Sequence, residues 1–272
     1  MGLFSWLFNK NKPKKIKIGL ALGSGGAKGF AHLGALKAFE ENGLEFDIIA
    51  GTSIGSVIGA FVAEGYSSTD IFELLKGIDF SEITSPLMLK MDTSGMFKVI
   101  DREIGYLNIE EMKKPFRAVA TQLETGKEFV FTNGSVASAV CASSSIPPFF
   151  KPVVIDGVRY IDGAFTNSVP ADQVKEMGAD YVIGIDLSTR EQKASLLTKI
   201  FPTYKSEVKE PWAKGYKESN IMLHPDLNEY SSVAISSGAN MYEIGYDTAM
   251  EKMPQILSEI ESLKSGKKLI KK

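Results

Sequence analysis

The chain reads as a three-layer α/β/α domain built on a central, mostly parallel sheet. Three observations predict this. Short apolar strand runs alternate with helical runs along the chain, which is the order that buries a parallel sheet under helices on both faces. Glycine- and serine-rich loops sit at the carboxyl ends of two strands, where open α/β sheets place their sites. The 272 residues are 44% apolar and 24% charged, enough for one substantial core.

The elements follow in order. Ile16 to Leu22 is a buried strand that runs into the loop Gly23-Ser24-Gly25-Gly26-Ala27-Lys28-Gly29, and a helix spans residues 27 to 42. A second strand, residues 46 to 50, leads through Gly51-Thr52-Ser53-Ile54-Gly55 into a helix over residues 54 to 64. Residues 116 to 123 and 128 to 131 flank Glu124-Thr125-Gly126-Lys127 as a hairpin, and Ser135 to Ser145 is helical. Residues 153 to 161 form another hairpin about Asp156-Gly157, and a helix over 170 to 178 precedes a strand over 180 to 186. Residues 65 to 115 and 188 to 220 lack strong periodicity, and each reads equally as a lid over a site or as a solvated connection.

Gly51-Thr52-Ser53-Ile54-Gly55 is a G-x-S-x-G pentapeptide between strand and helix. A serine forced into so tight a turn presents its hydroxyl, and Gly51 and Gly55 let neighbouring backbone approach without a Cβ clash. The plainer alternative is an ordinary strand-to-helix loop. Upstream, the glycine loop exposes N–H groups at a helix start, where the dipole favours an anion. A dinucleotide fingerprint fits it poorly, because Lys28 stands where the third glycine belongs and no acid closes the next strand. An oxyanion cradle fits better: Gly25 and Gly26 are the candidate donors with Ala27 beside them, and the amide of Ile54 assists.

A serine nucleophile needs a proton acceptor. Two histidines are present. His32 lies within the helix after the glycine loop and reads as a packing residue, while His224 lies in the loop Leu223-His224-Pro225-Asp226 and is a weak candidate base. Asp162-Gly163-Ala164, following the second hairpin, offers a carboxylate instead, with Gly163 leaving room for another loop; the alternative is a simple Asp-Gly turn.

In this order the three segments resemble the patatin-like phospholipase family. Gly25-Gly26-Ala27-Lys28-Gly29 is similar to the family's G-G-x-R/K-G oxyanion segment, Ser53 to its nucleophile and Asp162 to its catalytic aspartate. The likeness covers about residues 16 to 260 and extends to Ile146-Pro147-Pro148-Phe149-Phe150, Val169-Pro170-Ala171 and Pro225-Asp226-Leu227, which look like the small bacterial members. Ser24 departs from the pattern, standing where many relatives begin their glycine run. The resemblance implies a patatin-like fold and a Ser-Asp dyad without histidine, hydrolysing acyl esters of lipids. It leaves two alternatives: acyl transfer through the same acyl-enzyme, and a lipid-binding regulator with little turnover.

The remaining features narrow the class. Cys141 is the one cysteine, so no intrachain disulfide forms, and it reads as a small buried residue of the 135 to 145 helix. No Cys/His spacing suggests zinc, and the expectation is neither metal nor cofactor. The formal net charge is −2, with five lysines in residues 1 to 17 and five in residues 264 to 272, leaving 21 basic against 33 acidic groups between them. An acidic body of this kind argues against nucleic acid as a partner. Residues 1 to 15 are a tail in which Leu3, Phe4, Trp6, Leu7 and Phe8 precede a lysine run; this reads equally as a contact for an anionic membrane surface or as a disordered leader with incidental aromatics, and the apolar-before-basic order is the reverse of a secretory signal. The expected layout is this tail, an acyl hydrolase domain over residues 16 to 263 and a basic tail over 264 to 272, in a cytoplasmic protein that the first of the two readings of the tail would place at the inner face of the membrane.

Overall fold

The computed structural model describes residues 15–77, 93–188 and 208–269. The N-terminal tail, apart from Lys15, falls outside the described residues, as do 78–92 and 189–207, the middles of the two segments read as lids or connections.

One mixed sheet organises the chain. Its parallel part runs β8 (Ile221–Leu223), β7 (Tyr181–Ile185), β1 (Ile18–Leu22), β2 (Ile48–Thr52), β3 (Phe116–Gln122). Three antiparallel strands complete it: β4 (Glu128–Phe131) and β6 (Val158–Asp162) both pair with β3, and β5 (Val153–Ile155) pairs with β6. The hairpin turn between β5 and β6 is Asp156-Gly157, both residues at positive φ (50° and 77°), as a tight two-residue hairpin requires.

The register on β3 decides where the site forms. β4 pairs with Ala118 to Thr121, β2 with Phe116 to Val119, and β6 with Ala120 to Gln122. Ala118 and Val119 thus have β4 on one edge and β2 on the other, while Ala120 and Thr121 have β4 on one edge and β6 on the other. It follows that β2 and β6 occupy successive stretches of the same edge and meet end to end. Thr52 stands opposite Val119 and Asp162 opposite Ala120, one step further along.

Helices cover both faces. Alternation along β1 directs Leu20 and Leu22 into the larger core with α1 (Phe30–Glu41), α2 (Ile54–Ala63) and α5 (Val136–Ser143), and directs Ala21 into the smaller core under α6 (Ala171–Glu176). α3 (Ser68–Gly77) and α4 (Ser94–Ile104) bury Ile71, Leu75, Ile100 and Ile104 in the larger core, so these parts of the 65 to 115 segment are packed structure. α7 (Ala213–Glu218) precedes β8.

α8 (Gly238–Lys264) is the longest helix described and takes in Lys264, the first residue of the expected C-terminal tail. Met241, Gly245, Ala249, Met253, Ile256 and Ile260 form its buried face, and it lies close across α1. A Cβ on Gly34 would fall 1.9 Å from the Tyr242 carbonyl oxygen, and one on Gly245 would fall 2.0 Å from that of Ala31. The two helix backbones therefore touch. This second cover explains why α1 is apolar around most of its circumference. Among the described residues no helix is long and apolar enough to cross a membrane.

Candidate active site

Ser53 sits between β2 and α2 with φ 56° and ψ −128°, a backbone region that costs an L-residue strain and is held only by its surroundings. The motif's glycines permit the turn. A Cβ on Gly51 would meet the Gly55 carbonyl oxygen at 2.2 Å, and one on Gly55 would meet that of Leu22 at 2.1 Å. The hydroxyl therefore stands at the N-terminus of a ten-residue helix, where the dipole favours negative charge.

Asp162 reaches the same place from the opposite direction. It is fully buried, and its Oδ1 accepts from the Ala164 N–H at 2.8 Å. Its Oδ2 has no completed hydrogen bond among the described residues, yet the Ser53 hydroxyl lies near enough to favour the charged carboxylate. The two side chains are thus neighbours without a completed hydrogen bond. Burial pushes the Asp162 pKa up to about 7, against the opposing pull of the Ser53 hydroxyl and the Ala164 amide. Gly163 is required for close approach too, since a Cβ there would lie 2.2 Å from the Val119 carbonyl oxygen.

The glycine loop arrives from β1, the neighbour of β2. Its ends are pinned: the Gly23 N–H donates to the Ile185 carbonyl at 3.0 Å and the Ser24 N–H to the Ser168 carbonyl at 3.0 Å. The amides of Gly25, Gly26 and Ile54 have no backbone acceptor among the described residues. Ala27 is a correction to the sequence reading. Its N–H donates to the Ser232 carbonyl at 2.7 Å, so it is not a free donor. Lys28 is buried, and burial pulls its amine below the ordinary value. Gly29 is pressed against Ile54, whose side chain a Cβ would meet at 2.4 Å.

Neither histidine stands as a base. His224 follows β8, three strands from β2, with Nδ1 3.6 Å from the Asp186 carboxylate and 3.5 Å from the Tyr216 hydroxyl. His32 is fully buried with Nε2 2.8 Å from the Gly23 carbonyl oxygen. A carbonyl only accepts, so Nε2 carries the proton, and Nδ1 is left bare and unpartnered. His32 thereby fastens the first glycine of the loop, a role the sequence signalled only as packing.

Burial holds the His32 pKa down to about 4, from an ordinary value of 6.5. The unfolded chain therefore binds a proton between those values that the folded chain refuses, and stability rises with pH across that window. The expected contribution, fully present above about pH 6.5 and lost by about pH 4, is about 3 kcal/mol. Chemical denaturation of the parent and His32→Gln between pH 4 and 7 measures it: the difference between the two proteins should change by that amount, and a constant difference would rule the assignment out.

Cys141 lies in α5, buried as expected, with its thiol pKa pushed up to about 12 by burial. The residue that sequence reasoning passed over is Ser143, the last of α5. Its hydroxyl accepts from the Ser53 N–H at 2.9 Å and donates to the Val119 carbonyl at 2.5 Å. A serine run, Ser143-Ser144-Ser145, at the end of a mostly apolar helix is the visible sign of it.

Comparison with known proteins covers these same segments. Residues 20–175 match the family described as Patatin-like phospholipase. Neuropathy target esterase sws of Drosophila melanogaster is 27% identical over an alignment of 271 positions, gaps included, that covers 84% of this chain and 19% of the relative. Patatin-like phospholipase domain-containing protein 7 of Mus musculus is 35% identical over an alignment of 188 positions, gaps included, that covers 64% of this chain and 14% of the relative. The chain thus spans a small part of the length of these curated relatives. Among solved structures, VipD from Legionella pneumophila shares the fold with a TM-score of 0.58 at 14% identity, over 89% of this chain and 67% of its own.

Proposed function

Because the chain belongs to the patatin-like phospholipase family, we propose that it is a serine acyl hydrolase of lipid esters, with Ser53 as nucleophile and Asp162 as its base. One observation carries the reading: a serine held at positive φ on a helix N-terminus, beside a wholly buried carboxylate one step along the same strand edge.

The chemistry follows from the arrangement. Ser53 Oγ attacks the ester carbonyl carbon while its proton passes to Asp162 Oδ2, the oxygen without a completed hydrogen bond. The carbonyl oxygen takes the negative charge and is received by the amides of Gly25, Gly26 and Ile54. Preorganised donors of this kind contribute about 2.7 to 4 kcal/mol each when removed singly. As the carbon–oxygen bond to the alcohol breaks, Asp162 returns the proton to the leaving oxygen. Water then attacks the acyl-Ser53 ester and gives a proton to Asp162; as the acyl–Oγ bond breaks, Asp162 passes that proton to Ser53 Oγ, which releases the carboxylic acid and restores the serine.

Burial supports Asp162 in this part. An ordinary aspartate, with pKa near 3.9, is a feeble base at neutral pH; one at about 7 is matched to the task. The dipole of α2 lowers the cost of the nascent alkoxide.

A fluorophosphonate probe tests the assignment, since it phosphonylates activated serines. It is expected to modify the parent chain with a stoichiometry near one, and peptide mapping by mass spectrometry should locate the adduct on Ser53. An adduct elsewhere, or none on folded protein, would refute the proposal.

A further inference from the structure

We propose that Ser143 is the positioning residue of the Ser53 elbow: its hydroxyl is wedged into the β2–β3 ladder where the next backbone hydrogen bond would form, and this holds the serine turned away from the sheet. The inference rests on the reading of Ser53 as nucleophile and adds the device that aims it.

The ladder shows the substitution directly. In a parallel pair, the donating residues recur every second position on both strands. The Ile49 N–H donates to the Pro115 carbonyl at 3.0 Å, and the register Ile49 to Phe116, Gly51 to Ala118 carries the pattern forward. Two steps on, the partner due to the Ser53 N–H is the Val119 carbonyl. Those are the two groups that Ser143 joins, accepting from the first at 2.9 Å and donating to the second at 2.5 Å. One oxygen has been inserted into the bond. Only a group that both accepts and donates can do this without leaving a buried backbone group unpaired, and Ser143 is completely buried.

With Ser53 N–H held off β3 by the width of a hydroxyl, β2 cannot continue along its edge, and the chain turns into the positive-φ conformation at Ser53. The same segment also reaches the other candidate residue. The Ser145 carbonyl, two residues on, accepts from the Asp162 N–H at 3.0 Å. The end of α5 therefore spaces both strand ends, β2 and β6, where they meet.

Removal of the hydroxyl lets the Ser53 N–H close onto Val119 or leaves it unpaired, and either outcome shifts Oγ relative to Asp162 and the loop amides. The test compares second-order rate constants and end-point stoichiometries of fluorophosphonate labelling for the parent, Ser143→Ala and Ser143→Thr. Ser143→Ala should label about 10²-fold more slowly, the scale of a misplacement near 1 Å, but to the same end point. Ser143→Thr, which keeps the hydroxyl, should recover most of the rate. A loss of folded protein would lower the end point instead, so the rate constant separates aim from stability. Labelling of Ser143→Ala at the parent rate overturns the proposal. If Ser143→Ala does not fold, Ser143→Cys replaces it: a thiol bonds more weakly and must slow labelling, and a parent rate again overturns the idea. A parent that takes no probe refutes the hydrolase reading instead. A crystal structure of Ser143→Ala then decides the wedge by itself, with a direct Ser53 to Val119 bond or a changed φ expected, and an unmoved residue 53 contradicting it.

Discussion

Ser53→Ala is expected to abolish hydrolysis of p-nitrophenyl acyl esters, lowering kcat by roughly four orders of magnitude or more, the scale seen when a covalent nucleophile is deleted. The loss is large because the hydroxyls bonded around the turn are not free to replace it. The neighbouring hydroxyls are committed elsewhere: Thr52 donates to the Asn167 carbonyl, Ser56 to the Ser53 carbonyl and Ser143 to that of Val119. The fold should be undisturbed, since a methyl side chain loses no partner that the core depends on. Assays of purified parent and variant, with melting curves alongside, check both halves. Equal turnover by the two proteins would end the proposal.

Asp162→Asn is expected to lower kcat by about 10²- to 10⁴-fold, the range of a removed general base. The pH profile gives a sharper test. With a pKa near 7, Asp162 is protonated and unable to accept a proton below that value. The parent's kcat/KM should therefore rise through about pH 7 and level off above it, and the residual activity of the variant should lack this step. Stability should move in the opposite sense. The folded chain holds the Asp162 proton up to about pH 7, whereas the unfolded chain releases it near 3.9, so the site costs stability progressively as pH rises between those values. At neutral pH the cost is about 4 kcal/mol by that difference, and asparagine escapes it. A variant that is slower yet melts higher above pH 7 is the expected result. A parent profile that is flat from pH 5 to 9, or a variant that melts lower at every pH, would contradict the role given to this carboxylate.

Much of the scaffold was legible because it is local. β1, β2 and β7 are short, almost wholly apolar runs bounded by glycine or aspartate, and the Asp156-Gly157 turn announces its hairpin. The glycine loop, the serine turn and the Asp162 segment could be picked out for the same reason, and the structure brings all three together. β8 has three residues and little pattern of its own; pairing with β7 makes it a strand. α8 has no counterpart in the sequence reading; Gly245, which lets it lie against α1, has its meaning only in that packing. Ala27 was grouped with the free donors because nothing nearby in sequence betrays the Ser232 carbonyl that occupies it. Ser143 and the raised pKa of Asp162 were hidden on the same account: each depends on backbone brought from elsewhere in the chain.

The meeting of β2 and β6 on a shared edge of β3 makes that strand a ruler. Thr52, the residue before Ser53, stands at Val119 and Asp162 at Ala120, so the spacing of Ser53 and Asp162 does not depend on the length or shape of the chain that joins them. Segments between these marks can lengthen, shorten or change character without detuning the pair, provided Phe116–Gln122 stays straight and the end of α5 keeps its grip. Such an arrangement lets what surrounds Ser53 change while its spacing from Asp162 is kept.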